Sequence, residues 1–252
     1  MHATQTGSII SPFYQSGNYY ATHADPDQDS PFKAKAFLDL WHRALGERHV
    51  SVSSYADVGC GGGGAAALVA EGLRQDGHCL EEVAGYDISP HVLTLRHKEV
   101  TFYYEDFCKV DAEYDVVTLF DVMEHVPNPV DFLKGVAERC SFIGLHIPLD
   151  RSLMNCLFDR FRQRLKYPGH LIVLDTPMAL NLIAMSGILA LDYTYTHGYS
   201  APSGTMTFLQ RAAYPVRAFL AHVSPWLSSR IVGGVSLMIV GVTPKGLQRM
   251  QF

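Results

Sequence analysis

The sequence predicts an α/β fold in which a mostly parallel sheet is covered by helices on both faces. Short runs rich in β-branched and aromatic residues alternate with helical patterns along the chain. The first run, residues 54–58, leads directly into a glycine cluster at residues 59–64 and then into an alanine-rich helical segment. A strand, a glycine turn and a helix in this order are typical of a doubly wound sheet that binds a ligand at its strand ends.

Length and composition agree with one domain of ordinary size. The chain has 252 residues, of which 48% are hydrophobic and 18% charged, enough to form a core without disulfide or metal support. Its 5 cysteines are scattered without a C-x-x-C pair, and the N-terminus has no basic-then-apolar secretion signal. Because no apolar stretch reaches the roughly 20 residues of a spanning helix, we expect a cytoplasmic protein without a membrane segment.

Charge is distributed unevenly between the two parts of the chain. Residues 1–150 carry 22 acidic and 10 basic residues (−12), whereas residues 151–252 carry 3 acidic and 10 basic residues (+7). One interpretation is a positive surface that suits an anionic acceptor; the other is that the two parts neutralise each other across a packed domain. Since dense Lys/Arg clusters are absent from the sequence, no nucleic-acid partner is predicted.

The first 50 residues are predicted to be a polar arm followed by a covering helix. The arm contains Tyr19, Tyr20 and His23, which are candidates to close over a ligand. Ser30 followed by a proline predicts a helix over residues 32–45, which we expect to cover the sheet edge. Lys33, at the start of that helix, is expected to be exposed, the alternative being a contact with a bound carboxylate.

Residues 51–252 are predicted to form the main domain. After residues 54–58, its strands are expected at residues 83–86, 101–104, 114–120, 141–147, 189–196 and 236–243. Its helices are expected at residues 65–74, from about 90, and at 129–139, 151–166, 176–185 and 210–220. About forty residues separate the last two strands, so a helical insertion over about 199–234 is predicted, as a lid or an interface.

The glycine cluster is the first motif that carries chemistry. Asp57 followed by Gly59, Gly61 and Gly63 gives D-x-G-x-G-x-G, in which the glycines bring bare N–H groups and a positive helix end close to a ligand. An acid two residues before the first glycine would repel a pyrophosphate and attract a cation. The motif therefore differs from the dinucleotide-binding G-x-G-x-x-G.

Further acids stand at the ends of the next predicted strands. Asp87 is placed to accept hydrogen bonds from ribose hydroxyls, in NAD and in an adenosine alike. Asp106 is placed to accept from an exocyclic amino group while Phe107 covers a ring. Each acid alone is explained equally well as a helix cap or a solvated loop charge, but their succession after a glycine turn indicates a nucleoside site.

Residues 57–63, 85–89, 105–107 and 114–126 resemble, in this order, the motifs of class I S-adenosylmethionine-dependent methyltransferases. Residues 30–35, 145–150 and 168–171 resemble a small-molecule subgroup found beside biosynthetic gene clusters. The resemblance implies a Rossmann-like, seven-stranded, mostly parallel sheet whose last strand is antiparallel. It also implies S-adenosylmethionine as cofactor and methyl transfer to an oxygen, nitrogen or carbon atom of a small biosynthetic metabolite.

The resemblance also implies roles for individual residues. Asp57 and the glycines would hold the methionine end, Asp87 the ribose, Asp106 with Phe107 the adenine, and residues 119–121 would lie beside the sulfonium. The cofactor-binding residues predicted in this way are Asp57, Gly59, Cys60, Gly61, Gly63, Asp87, Ile88, Asp106, Phe107, Phe120 and Asp121. Leu171 stands after His170 where relatives commonly place an aromatic residue, which indicates an altered substrate wall.

His125, His146 and His170 are the candidate bases, because each follows or ends a predicted strand on the ligand-binding side of the sheet. The alternatives are a helix cap for His125, a core histidine for His146 and a loop hydrogen bond for His170. A metal held by these histidines with Asp150 is not predicted, because no H-x-H or H-x-x-H spacing is present.

Two other functions compete with methyl transfer. An NAD-linked oxidoreductase would need the dinucleotide glycine pattern and a catalytic tyrosine–lysine pair, neither of which we find in the sequence. A non-catalytic nucleoside-binding protein of the same fold would keep the strand-end acids and lack chemistry. The sequence predicts no oligomeric state.

Overall fold

The computed structural model describes residues 27–48, 50–166, 168–197, 215 and 218–250. The arm residues Tyr19, Tyr20 and His23 and most of the predicted insertion therefore lie outside the described residues. Within the described ranges, no helix is both long enough and apolar enough to cross a membrane.

Seven strands form one sheet in the order β3-β2-β1-β4-β5-β7-β6. They are β1 Ser54–Val58, β2 Glu82–Asp87, β3 Thr101–Tyr104, β4 Tyr114–Phe120, β5 Cys140–Pro148, β6 Leu189–His197 and β7 Val235–Val242. Strands β1 to β5 are parallel, whereas β7 runs antiparallel to both β5 and β6. The predicted mostly parallel sheet with an antiparallel last strand is confirmed.

Helices cover both faces of this sheet. They are α1 Ser30–Leu45, α2 Gly64–Gln75, α3 Pro129–Ala137, α4 Leu153–Leu157, α5 Phe161–Lys166, α6 Thr176–Met185, α7 Pro225–Ile231 and α8 Pro244–Met250, and residues 218–223 are also helical. Short 3₁₀ turns follow three strands, at Pro90–Thr94, Phe107–Lys109 and Met123–His125.

The helical predictions are wrong at two places. Residues 151–166 form α4 and α5 instead of one helix, because Asp159 between them has a positive φ of 46°, which a right-handed helix cannot contain. The helix expected from about Pro90 is a single 3₁₀ turn, because Leu95 returns to extended backbone. Helix α8 was not predicted; its seven residues follow directly from the last strand.

Helix α1 lies on a face of the sheet instead of at its edge, contrary to expectation. Phe37 and Trp41 are buried, and the Trp41 ring packs edge-on against Phe142 of β5 at 5.5 Å. Gly144, also in β5, permits this approach, because a Cβ there would lie 2.4 Å from the Phe37 ring. This packing brings Lys33 of α1 to the carboxyl ends of the strands. The division at residue 50 stays a prediction, although α1 shares a core with the sheet.

Acids and bases from the two parts of the chain pair with each other. Lys245 and Arg249 of α8 contact Glu113 and Asp115, which stand at the start of β4. These contacts agree with the interpretation in which the two unequal charge distributions neutralise each other across a packed domain.

Candidate functional site

A cavity of about 980 Å³ opens at the carboxyl ends of β1, β2 and β4, and we call it the strand-end cavity. Its volume is at the upper end of the range for small-molecule sites. All of the predicted cofactor-binding residues except Gly63 line it, and so do His125 and His170. At this edge the parallel strands all end with their carboxyl termini, which is why motifs distant in sequence meet there.

The glycine loop between β1 and α2 has the backbone that its sequence predicts. Gly59, Gly61 and Gly63 all have positive φ, between 59° and 86°. A Cβ on Gly59 would lie 2.4 Å from the side chain of Val122, and one on Gly63 would lie 2.5 Å from Phe102. Gly63 therefore serves the turn and its packing, and does not line the cavity.

A carboxylate caps the helix that follows this loop. Asp27 Oδ1 accepts a hydrogen bond from the Gly64 N–H at 2.8 Å and another from the Ser30 hydroxyl at 3.1 Å. The N-terminus of α2 is the place at which a dinucleotide fold binds its pyrophosphate. With Asp27 at this helix end and Asp57 below the loop, two acidic side chains stand where that anion would bind.

Asp57 lies under the loop and is buried, with 2% of its surface exposed. Its Oδ1 accepts a hydrogen bond from the Thr118 hydroxyl at 2.6 Å, and Thr118 is bonded in turn to the Tyr55 hydroxyl at 2.7 Å. Burial raises the pKa of Asp57 to about 7, although the Thr118 bond and the charge of Lys33 oppose the shift. This carboxyl group therefore titrates near neutral pH and is stabilised in its ionised form by an added cation.

The acids that follow β2 and β3 are held by backbone N–H groups. Asp87 accepts from the N–H of Ser89 at 2.7 Å and from the N–H of Gly61 at 3.2 Å, which ties the second strand to the glycine loop. Asp106 accepts from the N–H of Cys108 at 3.2 Å and caps a 3₁₀ turn. The cap interpretation of Asp106 is thus confirmed, and it coexists with a position on the cavity wall.

Phe107 is surrounded mostly by other aromatic side chains of the core. Its ring is buried and packs edge-on against Tyr86 at 5.0 Å and near Tyr114 at 6.1 Å. Phe107 lines the cavity, yet most of its ring belongs to the core of the protein.

Asp121 joins the sheet to helix α1. Its Oδ2 lies 2.7 Å from Lys33 Nζ, and its Oδ1 lies 2.6 Å from Nδ1 of His146. Its backbone is left-handed, with φ 57°, and its N–H donates to the carbonyl of His146 at 2.9 Å. Burial alone would raise the pKa of Asp121, but the charges and hydrogen bonds of His146 and Lys33 hold it well below its usual value.

The prediction that Lys33 is exposed is wrong, because its side chain is largely buried. Burial by itself lowers the pKa of this ammonium, but the charge and hydrogen bond of Asp121 outweigh burial and raise it. Lys33 lines the cavity as a cation already paired with a carboxylate.

His146 is not among the residues that line the strand-end cavity. Both of its ring nitrogens are engaged, Nδ1 with Asp121 and Nε2 with the hydroxyl of Thr196 at 2.8 Å. His146 is therefore buried and bonded to Asp121, an environment that agrees with the core-histidine alternative, and its role as a base stays a prediction.

The two other predicted bases come together with a residue that sequence reasoning missed. His125 and His170 are 45 residues apart, yet their rings pack edge-on with centroids 5.0 Å apart. Glu124 lies against both, with its Oε1 3.8 Å from His125 Nε2 and 3.9 Å from His170 Nε2. We call these three residues the Glu–His–His cluster, and all three line the cavity.

Burial shifts the titration of this cluster. It lowers the pKa of His125 to about 4, with the nearby His170 adding to the shift and a bond to the Gly169 carbonyl opposing it. Burial raises the pKa of Glu124 well above its usual value, helped by the charge of Asp121. The sequence signal for Glu124 was its position beside His125 in the motif at 114–126, but a single carboxylate there does not reveal its two histidine neighbours.

Comparison with known proteins identifies the family. A family model described as a methyltransferase domain matches residues 31–213 of the chain. The chain belongs to this methyltransferase-domain family. The class that the motifs resemble is thereby confirmed.

Curated relatives match a part of this methyltransferase-family chain. The ubiquinone biosynthesis O-methyltransferase of Azoarcus sp. (strain BH72) is 35% identical over 96 residues, 32% of this chain and 37% of the relative. The enzyme of the same name from Vibrio cholerae serotype O1 (strain M66-2) is 27% identical over 145 residues, 52% of this chain and 54% of the relative. The chain thus matches about a third to a half of the length of these relatives.

Solved structures share the fold of this methyltransferase-family chain at low sequence identity. Magnesium protoporphyrin IX methyltransferase from Synechocystis PCC 6803, with bound SAH, is 14% identical with a TM-score of 0.54, over 93% of this chain and 98% of that one. The [4+2]-cyclase SpnF is also 14% identical, with a TM-score of 0.52, over 86% of this chain and 80% of that one. The fold is therefore shared with a cyclase, and the chemistry must be argued from the site.

Proposed function

We propose that this protein binds S-adenosylmethionine in the strand-end cavity and transfers its methyl group to a small-molecule acceptor held near the Glu–His–His cluster. The observation that carries the proposal is the convergence of acids from three strand ends, Asp57, Asp87 and Asp106, on one cavity beside a positive-φ glycine loop. Membership of the methyltransferase-domain family supports the same conclusion.

The acids fit the chemical groups of this cofactor. Asp57, buried and near its titration point, would accept from the α-ammonium group of the methionine end. Asp87, held at the end of the second strand by the N–H groups of Ser89 and Gly61, would accept from the ribose hydroxyls. Asp106 and the turn that it caps would face the adenine. The proposal for Asp57 explains why an acid precedes the first glycine.

The bound cofactor supplies an electrophilic methyl group on a sulfonium, which an acceptor atom displaces in line. The protein's contribution is to hold the acceptor in that line, and alignment of this kind is worth roughly 7–11 kcal/mol. His125 and His170 are proposed to orient the acceptor or to take its proton, since both line the cavity beyond Asp121. Asp121, fixed by Lys33 and His146, would separate this acceptor end from the methionine end.

A neutral oxygen acceptor is favoured over an anionic one. Lys33 and Arg164 line the cavity, and each is paired with a carboxylate, Asp121 and Asp150 respectively. Within the described residues these are the cavity's Lys and Arg side chains, so no unpaired one is left for an anionic acceptor. The curated relatives are named as O-methyltransferases, which supports oxygen over nitrogen or carbon as the methylated atom.

Binding and turnover together test the proposal. Isothermal titration of the full chain with S-adenosylmethionine, S-adenosylhomocysteine and NAD⁺ should give micromolar binding of the first two compounds and none of NAD⁺. Incubation with methyl-labelled cofactor and a library of hydroxylated metabolites should then release S-adenosylhomocysteine. Failure of both adenosyl compounds to bind at millimolar concentration would overturn the proposal, and preferential NAD⁺ binding would favour an oxidoreductase. Binding without turnover on any acceptor would favour a non-catalytic nucleoside-binding protein.

A further inference from the structure

Glu124 is an unusual group to find at the wall of this cavity. Only 2% of its surface is exposed, and neither carboxyl oxygen has a hydrogen-bond partner among the described residues. Burying a carboxylate without compensation is costly, so buried carboxylates in folded proteins are normally paired, hydrogen-bonded or bound to a metal. The environment of Glu124 therefore indicates a carboxyl group that binds a ligand.

Two histidines flank the same carboxyl oxygen. Nε2 of His125 lies 3.8 Å and Nε2 of His170 lies 3.9 Å from Glu124 Oε1, distances too long for hydrogen bonds. One ligand atom from each of the three residues can be chosen so that all lie within 4.8 Å of one another. Around a tetrahedral metal with bonds of about 2.1 Å, neighbouring ligand atoms are ~3.4 Å apart, so the two Glu–His distances would each shorten by about half an ångström on binding an ion.

Outer hydrogen bonds orient both rings for metal binding. His125 Nδ1 lies 3.0 Å from the carbonyl of Gly169, and a carbonyl oxygen only accepts, so Nδ1 carries the proton. His170 Nδ1 lies 2.5 Å from Oδ2 of Asp150. A proton on Nδ1 leaves the lone pair on Nε2, which is the atom that faces Glu124 in each ring. Metal-ligating histidines almost always have such a carbonyl or carboxylate partner.

The guanidinium of Arg164 holds the Asp150 carboxylate that contacts His170. Arg164 Nη2 lies 3.3 Å from Oδ1 of Asp150, so the two Asp150 oxygens face a guanidinium and an imidazole. This arrangement fixes Asp150, which in turn orients the His170 ring. The Glu–His–His cluster thus has an outer layer of groups that holds its members in place, as metal sites do.

We propose that Glu124, His125 and His170 bind a divalent transition-metal ion such as Zn²⁺, with an open coordination position toward the cavity. Two imidazole nitrogens and one carboxylate form the donor set of catalytic zinc sites and of facial-triad iron sites, which both keep a position for water or substrate. The sequence did not predict this site, because its histidines are 45 residues apart and only the fold brings them together.

The open position would take an oxygen atom of the acceptor, and this part rests on the proposed function. An alcohol, phenol or enol oxygen bound to a divalent cation loses its proton at lower pH, for the reason that metal-bound water does. The cluster thus narrows the acceptor to molecules with an oxygen donor. It also places that oxygen on the acceptor side of Asp121, within the same cavity as the cofactor-binding residues.

Direct titration tests the metal site. Tag-free full-length protein, stripped with a chelator and dialysed, is titrated with Zn²⁺ by calorimetry and loaded with Co²⁺ for visible absorption. We expect one Zn²⁺ per chain with a micromolar or tighter dissociation constant, and Co²⁺ bands of four- or five-coordinate type. A molar ratio near zero, or Co²⁺ spectra of the six-coordinate aqueous ion only, would overturn the proposal.

Variants locate the bound ion. Glu124→Gln and His170→Gln, which keep the side-chain volume approximately, should each weaken Zn²⁺ binding at least 100-fold. The matched control is His42→Gln, because His42 also lies beside a carboxylate, Asp76 at 2.5 Å, but on the exposed surface. Its Zn²⁺ affinity should equal that of the wild type. Unchanged Zn²⁺ binding by both cluster variants would place the ion elsewhere and overturn the assignment. Wild-type stoichiometry decides the question even if one variant does not fold.

The metal proposal and the proposed function fail in different ways. Binding of S-adenosylmethionine without binding of Zn²⁺ or Co²⁺ would remove the metal site and leave the methyltransferase proposal in place. Binding of metal without adenosyl compounds would do the reverse. Adding catechol to the Co²⁺-loaded protein should shift the visible bands if the open position takes an oxygen ligand, and unchanged bands would overturn the acceptor part.

Discussion

The two ends of the strand-end cavity differ in how their carboxylates are satisfied. At the adenosyl end, Asp87 and Asp106 accept hydrogen bonds from backbone N–H groups of nearby loops. At the acceptor end, neither carboxyl oxygen of Glu124 has a hydrogen-bond partner among the described residues. Of the two histidines beside it, His125 is adjacent in sequence and His170 comes from a distant segment. The carboxylates of the adenosyl end are held by backbone N–H groups, most of them close in sequence, whereas the acceptor end joins residues that are distant in sequence and is proposed to be completed by a metal ion.

Replacing Asp87 should have the largest effect, confined to the adenosyl end. Asp87→Ala removes both acceptors for the ribose hydroxyls, and hydrogen bonds to a charged group contribute about 1.5–3 kcal/mol each. The dissociation constant for S-adenosylhomocysteine, measured by calorimetry, should therefore rise about 1000-fold. Zn²⁺ affinity should stay within twofold of wild type, because Asp87 does not belong to the Glu–His–His cluster.

Two further variants control this experiment. Asp111→Ala removes an exposed acid and should leave cofactor affinity unchanged. His125→Gln, at the acceptor end, should change it by less than threefold. Undiminished cofactor affinity in Asp87→Ala would remove the ribose assignment, and an equal loss in His125→Gln would show that the two ends are not separate.

The glycine loop should be the next most sensitive element. Gly63→Ala forces a residue with a Cβ to φ 86° and places that Cβ 2.5 Å from Phe102. A left-handed backbone costs about 1–2 kcal/mol and overpacking about 1–3 kcal/mol, so the free energy of unfolding should fall by about 3 kcal/mol in urea denaturation.

A substitution at Gly77 separates the cost of the left-handed backbone from the cost of the contact with Phe102. Gly77 has a similar φ of 89°, but a Cβ there meets nothing within 4 Å. Gly77→Ala should therefore cost only the backbone part, about 1 kcal/mol, and leave cofactor affinity unchanged. Equal losses of stability in the two variants would show that contact with Phe102 contributes nothing.

The adenosyl end and the strands could be predicted from the sequence because their signals are local. β1, β3 and β4 have the predicted bounds, and each acid of the cofactor motif stands at a strand end that the β-branched runs reveal. A turn with positive φ favours glycine, and a strand end can be located from the residues around it without knowing which distant residues it contacts. These features can therefore be predicted without knowledge of the tertiary structure.

The acceptor end could not be predicted because its determinants are not local. His146 and His170 were equivalent candidates in the sequence, and only packing shows that one bonds Thr196 and Asp121 while the other faces Glu124. Lys33 reaches the cavity because α1 lies on the face of the sheet, a placement that periodicity does not specify. Side chains whose partners lie tens of residues away therefore need the fold before their chemistry can be assigned.

The pH dependence of cofactor affinity tests Asp57 at the methionine end. Its pKa of about 7 is raised by burial, and a cationic α-ammonium group favours its ionised form. Below pH 7, binding must release this proton, so affinity should fall about tenfold per pH unit between pH 7 and pH 5.5, where the ammonium stays charged. Calorimetry across this range should show the slope, and Asp57→Asn should bind weakly with no slope. A wild-type profile as flat as the variant's would contradict the assignment.

The same group predicts a sign for stability without cofactor. Because the folded pKa of Asp57 is raised above the unfolded value of about 3.9, the folded state keeps a proton that the unfolded chain releases between about pH 4 and pH 7. This group's contribution therefore lowers the free energy of unfolding as pH rises through that window, and is constant above pH 7. The difference between wild type and Asp57→Asn, measured by urea denaturation at several pH values, isolates it.

The smallest expected effect concerns the boundary between the two ends. Thr196→Val leaves Nε2 of His146 buried without its hydroxyl partner, which should lower the free energy of unfolding by about 1 kcal/mol, while Thr196→Ser should restore it. Asp121 keeps its bond to Lys33 and its N–H bond to the His146 carbonyl, so cofactor affinity should change less than threefold. If affinity instead falls as far as in Asp87→Ala, the His146–Asp121 pair controls the adenosyl end, and the separation of the cavity into two independently determined ends is wrong.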